Sequence, residues 1–483
     1  MAPSETSLNG WSGFKSFLLV ALILILAAPF FTKFENANSV SRLALVSSMI
    51  EEGTTKVDPY GHMTVDIAFH EGHYYSDKAP GMAFLSVPAY LLARAAGQAV
   101  GADLEVLPQE PSAQNGKDAA LRKAAIRLMI LTTSGLLTAL AGLAFFKLAL
   151  RMTQDTRLAL LATLTPFVAS PLLGWSANFF GHAATAATLF LAFYFCQKIN
   201  ADEKSPFLNA LWAGGMLGGS VMLEYTAAPA VLIVALYGLY KASRMGGNGF
   251  AKGLGAAVIG CALPIIPVLI YHDISFGSPF SVGYSSVVGF EGMNEGFLGL
   301  TSPSVSVLYE ITFGQRRGLF WISPIFILLP LGLYWAAKQR SWRSETVTST
   351  VIVVYYLLFN ASYFYWDGGA SLGPRHITPA LPFAGLLLVF MWMNARGLLN
   401  TLALGLLAIS SFLNIAATAT TLTPYRLEND YQFPIWDPVL TSVFSGNTGF
   451  TIYQNFGLPA FGVAVVWMLC CLAIVHFLWR KPH

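Results

Sequence analysis

The 483-residue chain is 55% apolar and 11% charged, whereas soluble domains carry about 25% charged residues. A soluble fold of this composition would expose far too much apolar surface, so the composition excludes a soluble globular enzyme. The net charge of +3 does not indicate a partner, and no run of basic and aromatic residues indicates nucleic-acid binding. We therefore predict an all-α polytopic membrane protein.

The apolar segments predict how often the chain crosses the membrane. The segment 82–97 is apolar but short and contains Pro88, which favours a helix in the membrane interface over a span. The first span follows Lys15 and has no clear cleavage site after it, so we expect an uncleaved anchor. With no internal repeat and no separate soluble domain, residues 1–483 are expected to form one integral membrane domain. The twelve predicted spans are approximately 15–32, 126–149, 158–175, 183–197, 207–223, 227–240, 253–271, 318–336, 347–364, 377–394, 398–417 and 459–478.

The charges between the spans predict the side of each loop, because cytoplasmic loops are enriched in lysine and arginine. With both ends of the chain inside, fourteen cations after the second span lie on the cytoplasmic side, between Lys147 and Lys481. Only four lie outside after that span, namely Arg316, Arg317, Arg375 and Arg426. This topology predicts three substantial external loops, at 33–125, 272–317 and 418–458.

Two clusters of polar residues stand out in the external loops, EGHYYSDKAPG at 71–81 and YWDGGASLGPRH at 365–376. Ionisable groups beside hydrocarbon are costly, so those that persist there usually have a function. Asp66, Asp77 and Lys78 are the candidates in the first loop. For each carboxylate taken alone, a solvated loop residue is the ordinary alternative.

Arg375 lies in a glycine-rich turn between the ninth and tenth predicted spans, where the backbone is able to approach a ligand closely. A guanidinium there is suited to bidentate binding of a phosphate, with His376 beside it. The alternative is an interfacial anchor that belongs to an aromatic belt with Tyr365. Arg316 and Arg317, at the start of the eighth span on the same side, are candidates to share the phosphate.

The first external loop carries the motifs of a known class of membrane enzymes. Apolar residues at helical spacing over 38–52 predict an amphipathic helix at the bilayer surface that ends at Gly53. This helix begins with N-x-x-S-R, and Y-S-D-K-A-P-G at 75–81 leads into the 82–97 helix. In these features the chain resembles the GT-C class of polyprenyl-phosphate-sugar-dependent glycosyltransferases. The pattern is similar to that of aminoarabinose transferases and protein mannosyltransferases, and to a bacterial subgroup with the YSDKAPG motif.

The resemblance implies a GT-C-like fold of about twelve transmembrane helices, with interfacial helices in the long first external loop. It implies transfer of a sugar from a polyprenyl-phosphate donor to a glycan, lipid or protein acceptor on the periplasmic side of a bacterial inner membrane. It assigns Tyr75 and Lys78 to donor binding. It also makes His182 a metal ligand or a second polar group of the site, with an interfacial histidine as the alternative. Glu224, at a short external turn, is expected to face the same cavity because an acid there is otherwise costly.

The sequence departs from that resemblance at the position of the catalytic base. The acidic pair expected at the start of the amphipathic helix is Asn38-Ser39 here, and Glu35 is the nearest acid. Asp66 and Asp77 therefore become the leading candidates for the base, with Glu35 behind them. A carboxylate that takes the proton of an acceptor hydroxyl contributes roughly 10²–10⁴-fold to the rate. Cations or a divalent metal would face the departing phosphate, and the use of a metal is left open because no spacing indicates zinc.

A transporter or flippase for lipids or polysaccharides is the alternative function, and a non-catalytic assembly factor is a third. Transporters place charged groups near the bilayer midplane, often with inverted repeats and broken helices. The predicted spans here are almost free of charge, and the polar groups gather at one interface. This distribution favours the transferase, whose expected partners are the polyprenyl-linked sugar donor, membrane lipids and the acceptor.

Overall fold

The computed structural model describes residues 13–28, 36–109, 118–199, 205–424 and 431–480, and these residues are predominantly helical. Two short antiparallel strands, β1 (Ile67–His70) and β2 (His73–Ser76), form a hairpin in which Ile67 pairs with Ser76. The α-helices in these ranges are α1 (Gly13–Ala27), α2 (Ala37–Ser47), α3 (Gly81–Ala99), α4 (Ala119–Ile130), α5 (Leu136–Thr153), α6 (Thr156–Phe167), α7 (Leu172–Ser176), α8 (Gly181–Lys198), α9 (Pro206–Leu223), α10 (Ala228–Ala242), α11 (Gly247–Phe276), α12 (Val305–Thr312), α13 (Leu319–Ile322), α14 (Leu329–Lys338), α15 (Arg343–Ser362), α16 (Leu381–Asn394), α17 (Gly397–Thr420), α18 (Thr441–Phe444) and α19 (Ala460–Trp479).

The apolar runs form helices because only a helix satisfies the backbone hydrogen bonds of a single segment inside a bilayer. Each of the twelve predicted spans contains helical structure, and residues 29–32 of the first span lie outside the described residues. The protein is an α-helical multi-pass membrane protein. The number of helices that cross the membrane stays a prediction. Six helical segments in the described residues are long and apolar enough to cross by length and composition, namely Ala119–Thr153, Tyr225–Met245, Gly247–Phe276, Arg375–Asn394, Gly397–Thr420 and Ala460–Trp479.

Two predicted spans are interrupted in the structure. The segment predicted at 318–336 has a break at Ser323, between α13 and a 3₁₀-helical stretch that leads into α14. The segment predicted at 158–175 is divided into α6 and α7, with a turn between them. Val168 leaves the helical conformation, and Pro171 begins the second piece, where a proline is tolerated because its missing N–H would be unpaired anyway. The apolar sequence of 158–175 therefore predicted burial correctly, but it did not predict the turn that divides the helix.

The centre of the helical bundle is formed by α8 and α16, which are buried along almost their whole length. α8 packs against α5, α9 and α10, and α16 packs against α6, α14 and α15. Both helices are apolar on every side, as expected for a helix with no polar surroundings. By contrast, α11 and α19 expose most of their apolar side chains at the periphery, where lipid is expected.

The described part of the first external loop forms a second core above the bundle. Leu43, Tyr60 and Tyr90 of this loop pack with Phe179 and Leu223 at the ends of the bundle helices. The helix predicted over 38–52 is confirmed as α2 continued by a π-helical turn, and Gly53 ends it with a φ of +66°. α2 is nearly enclosed, however, and does not lie open on a surface, because its apolar residues Leu43, Leu45 and Val46 pack into this core.

The helix predicted over 82–97 is confirmed as α3, and one side of it is buried while the other is exposed. Met82 and Tyr90 face the loop core, and Leu85 and Leu92 are exposed. This division suits a helix that lies in the membrane interface.

Candidate active site

One cavity, of about 180 Å³, lies where the first external loop meets the bundle. Its wall includes the start of α2, the segment before β1, the segment between β2 and α3, the turn after α9 and the segment after α15. The two external clusters that the sequence places on one side of the membrane therefore meet in one cavity. The polar side chains that line it belong to Asn36, Asn38, Asp66, Asp77, Lys78, His182, Glu224, Thr226, Tyr284, Tyr363, Tyr365, Arg375, His376 and Thr423.

A lysine lies between two carboxylates on one side of the cavity. Lys78 Nζ lies 2.6 Å from Asp77 Oδ2 and 3.1 Å from Asp66 Oδ2. The hairpin brings these groups together, because pairing of Ile67 with Ser76 places the neighbouring residues Asp66 and Asp77 opposite each other. The sequence predicted all three residues as site residues, and the fold brings all three together.

The two carboxylates differ in how many of their oxygens are engaged. Asp77 is 2% exposed, and its Oδ1 accepts a hydrogen bond of 3.3 Å from the Ser41 hydroxyl while its Oδ2 binds Lys78. Asp66 binds Lys78 through Oδ2, and its Oδ1 has no hydrogen-bond partner among the described residues. Asp66 is therefore able to accept a proton from a ligand in the cavity, whereas Asp77 is committed to its protein partners.

Burial and charge set the protonation of this cluster. Burial raises the pKa of Asp77, and Asp66 adds to the rise, while Lys78 opposes it. For Lys78, burial alone lowers the pKa, but the carboxylates of Asp77 and Asp66 outweigh it and raise the pKa above the usual lysine value. The ammonium of Lys78 therefore keeps its proton at neutral pH.

A buried ion pair that the sequence analysis did not identify ties α2 to the end of α9. Arg42 is 1% exposed, and its Nη2 lies 3.0 Å from Glu224 Oε1. Arg42 Nη1 also donates to Asn38 Oδ1. The start of α8 makes room for this pair, because a Cβ on Gly181 would lie 2.3 Å from Glu224 Oε1. Glu224 lines the cavity, as predicted, but its carboxylate is paired with Arg42.

Two histidines lie on the other side of the cavity. His182 Nδ1 lies 3.8 Å from Glu224 Oε1, and His182 Nε2 is buried without a hydrogen-bond partner among the described residues. The His182 ring meets the His376 ring edge-on, with centroids 5.7 Å apart. His376 Nε2 lies 3.2 Å from the carbonyl oxygen of Tyr365, so this nitrogen carries the proton and donates it.

Arg375 lies beside these histidines, and its guanidinium is held by aromatic rings. The guanidinium carbon lies 5.5 Å from the ring centre of Phe180 and 5.9 Å from that of Tyr365. Its Nε is buried without a hydrogen-bond partner, and the guanidinium makes no ion pair with any described residue. Gly368, at a φ of +67°, comes so close that a Cβ would lie 2.7 Å from Arg375 Nε.

Several predicted site residues do not line the cavity. Tyr75 is buried against Phe276, with ring centres 5.3 Å apart. Arg316 pairs with Asp367 at 2.7 Å. Arg317 is fully buried and donates to the carbonyl oxygens of Asp367 and Gly369, so the two arginines fix the glycine-rich turn that carries Arg375. Glu35 lies outside the described residues.

The aromatic wall of the cavity was only partly visible in the sequence. Tyr284 belongs to an external aromatic segment that is suited to line a groove, and Tyr365 was considered as an interfacial residue. The other aromatic residues carry no local signal, because aromatic residues are common at every membrane interface. The rings that line the cavity are those of Phe180, Tyr284, Phe290, Phe359, Tyr363, Phe364 and Tyr365.

The described residues do not form a metal site, since no three histidine, cysteine, aspartate or glutamate side chains among them converge. The nearest arrangement is the Asp66 and Asp77 pair, and there the Lys78 ammonium occupies the space between the carboxylates. A divalent cation would have to displace it.

Comparison with solved structures identifies the fold. The structure of ArnT from Cupriavidus metallidurans bound to undecaprenyl phosphate aligns over 98% of this chain and 77% of its own, at 14% identity and a TM-score of 0.54. The oligosaccharyltransferase of Archaeoglobus fulgidus in its apo form aligns over 86% of this chain and 57% of its own, at 12% identity and a TM-score of 0.46. No protein-family model matches the sequence, and no match among curated proteins is significant. The likeness to ArnT shows that the chain has the fold of a GT-C glycosyltransferase, as the sequence predicted.

Proposed function

We propose that the protein is a membrane glycosyltransferase that moves a sugar from a polyprenyl-phosphate lipid to an acceptor on the periplasmic face of a bacterial inner membrane. The observation that carries the proposal is the cavity that joins the Asp66–Lys78–Asp77 cluster to Arg375, an arginine that makes no ion pair with a described residue. The fold agrees with it, since the structure of ArnT holds undecaprenyl phosphate.

The phosphate of the lipid would bind at the cationic groups of the cavity. Arg375 offers two parallel N–H groups, which match two oxygens of a phosphate, and its side chain is already held by Phe180 and Tyr365. Lys78 adds a compact positive charge. These groups would stabilise the charge that develops on the phosphate when its bond to the sugar breaks.

The acceptor hydroxyl would give up its proton to Asp66. As its oxygen forms a bond to the anomeric carbon, the bond between that carbon and the phosphate oxygen breaks, and the electron pair leaves with the phosphate. Asp66 suits the base because its Oδ1 is available in the cavity, and Asp77 suits a supporting role because both of its oxygens are engaged. The same carboxylate would release the proton to water afterwards.

The aromatic wall would hold the sugar. Tyr284, Tyr363 and Tyr365 combine flat apolar faces with hydroxyl groups, which suit the C–H faces and the hydroxyls of a sugar ring. Such a wall also excludes water, which would otherwise compete with the acceptor for the anomeric carbon.

A strain from which the gene for this protein has been deleted supplies the substrate for the test. We expect a polyprenyl-phosphate-linked sugar to accumulate in that strain, and the purified protein to convert this lipid to free polyprenyl phosphate when envelope material from the same strain is added. Asp66→Asn should lower turnover by about 10²-fold or more while lipid binding is retained, because the proton of the acceptor then has no base. Asp77→Asn, which leaves Asp66 in place, should keep more activity.

A transporter would give a different result. It would move the intact lipid-linked sugar across the membrane without releasing polyprenyl phosphate, so neither the wild type nor Asp66→Asn would give a cleavage product. The transferase would be refuted if the wild-type protein released no sugar from the lipid and no lipid-linked sugar accumulated in the deletion strain.

A further inference from the structure

Asn38 has no part in the function proposed above, although it lines the cavity. It lies in the first turn of α2, four residues before the buried Arg42. We infer that Asn38 donates a hydrogen bond to an oxygen of the sugar-carrying lipid, and that the Arg42–Glu224 pair holds its amide in that orientation. The inference rests on the proposed function, because it requires that a lipid-linked sugar occupies the cavity.

The orientation of the amide follows from its protein partner. Arg42 Nη1 donates to Asn38 Oδ1, and because a guanidinium has only donors, it bonds the oxygen of the amide and not the nitrogen. Arg42 is itself immobilised by burial and by Glu224 at 3.0 Å. A half-turn of the amide would bring its NH₂ group against the cationic guanidinium, so the nitrogen stays on the opposite edge.

The amide nitrogen is available to a ligand. Asn38 is half-buried in the cavity wall, and its Nδ2 has no hydrogen-bond partner among the described residues. The nitrogen is therefore able to donate to a ligand oxygen that enters the cavity.

The chemistry of this donor fits the lipid better than the acceptor. An attacking hydroxyl needs a neighbour that takes its proton, and a hydrogen bond donated to its oxygen would make that oxygen less nucleophilic. The oxygens of the phosphate carry negative charge and gain more as the sugar leaves, so N–H donors stabilise them. The hydroxyls of the sugar are acceptors as well. The partner of Asn38 is therefore an oxygen of the lipid substrate, on its phosphate or on its sugar.

Substitution by aspartate provides the test, because it replaces the NH₂ group by an oxygen of the same size and keeps an acceptor for Arg42. Binding of undecaprenyl phosphate, with and without a linked glucose, would be measured by titration of the purified protein in nanodiscs. We expect Asn38→Asp to raise the Kd about tenfold or more, and Asn38→Ala to raise it several-fold, because a hydrogen bond to a charged group is lost. A loss for both lipids assigns the phosphate, and a loss confined to the glucose-bearing lipid assigns the sugar.

Asn36→Asp is the matched control. It adds the same charge at the same end of α2 and lines the same cavity, and its carboxylate still caps the Ser39 N–H. A smaller loss in Asn36→Asp than in Asn38→Asp supports a local hydrogen bond. Equal losses of affinity in the two variants would overturn the inference, as would unchanged binding in Asn38→Asp. Faster sugar transfer by Asn38→Asp would also overturn it, because it would show that position 38 suits a catalytic base. Failure of the wild type to bind either lipid would instead refute the proposed function.

Discussion

The guanidinium of Arg375 is positioned by aromatic rings and not by a carboxylate partner. Phe180 and Tyr365 lie beside the guanidinium, and no described carboxylate forms an ion pair with it. Contact with aromatic rings leaves the in-plane N–H groups available, whereas a carboxylate partner would occupy them. The geometry is therefore that of a site for an anionic group.

The affinity for the lipid phosphate is expected to depend on this arginine. Arg375→Ala should weaken binding of undecaprenyl phosphate by about 1.5–3 kcal/mol, the usual size for a hydrogen bond to a charged group. The affinity of Arg375→Lys should lie between those of the wild type and Arg375→Ala, because lysine keeps the charge but lacks the planar guanidinium. Titration of the lipid into the detergent-solubilised variants would measure both. Arg316→Ala is the comparison, and its loss should be smaller, because Arg316 holds the turn and does not line the cavity. A larger loss there than in Arg375→Ala would contradict the assignment of the phosphate to Arg375.

The buried carboxyl of Asp77 is expected to make stability depend on pH. Burial raises its pKa, against the opposing effect of Lys78. A carboxyl with a raised pKa stabilises the folded state while it is protonated, and this contribution is lost as the pH rises from the ordinary aspartate pKa through the raised value. Asp77→Asn has no such loss. Its melting temperature should therefore increase relative to that of the wild type as the pH rises from about 4 to neutrality. A difference that is constant with pH would contradict the assignment.

Residue chemistry was easier to predict from the sequence than residue partners. Asp66, Asp77 and Lys78 were identifiable because they are rare ionisable groups close to an apolar segment. Arg42 belongs to the N-x-x-S-R string that carries the resemblance, but it was not selected as a site residue. Its partner Glu224 lies 182 positions away, and no local pattern connects the two. Tyr75 has the motif of a site residue, but the fold turns it towards Phe276.

Among the elements, the glycine-rich turn before α16 determines where Arg375 lies. Gly368 has a φ of +67°, which L side chains rarely adopt, and Arg317 fixes the turn by bonding to two of its carbonyl oxygens. The turn is thus held from one side by a buried arginine while it presents another arginine to the cavity.

Substitution of Gly368 is expected to impair the site more than the fold. Gly368→Ala strains the backbone and places a methyl group against Arg375 Nε, so lipid binding should weaken by about tenfold while the helices remain folded. Gly405→Ala is the control, since it lies in α17 with open space around its position. Circular dichroism would report the helices and lipid titration the site. Equal binding by the two variants would show that the turn tolerates the change.

The elements were largely predictable, because the length of an apolar run and its spacing are local properties. Every predicted span contains helical structure in its described residues, and α2 and α3 appear where the sequence places them. Two features required the tertiary structure. The turn between α6 and α7 interrupts an apolar run that reads as one span, and the burial of α2 depends on the loop core that covers it.

For the molecule as a whole, the cavity constrains the topology. His182, Glu224 and Arg375 come from three different connections but line one cavity, so they lie on one side of the membrane. Reporters fused near these three residues should therefore all be located outside the cytoplasm. Fusions after the cationic positions Arg151, Lys204, Arg244, Arg340 and Arg396 should all read cytoplasmic. An external reading at Arg244 or Arg340 would contradict both the span count and the orientation of the site.

The ion pair between Arg42 and Glu224 also bears on how the protein is made. Its two ends are separated by 182 residues, and Arg375 enters the cavity a further 151 residues along the chain. In the predicted topology, the first external loop is therefore translocated during synthesis long before its partners, with Arg42 and the lysine–aspartate cluster still facing water. Contacts this distant in sequence form late. Ribosome-bound chains that end before Glu224 should consequently expose this loop to protease, and protection should arise only after the later helices have been inserted.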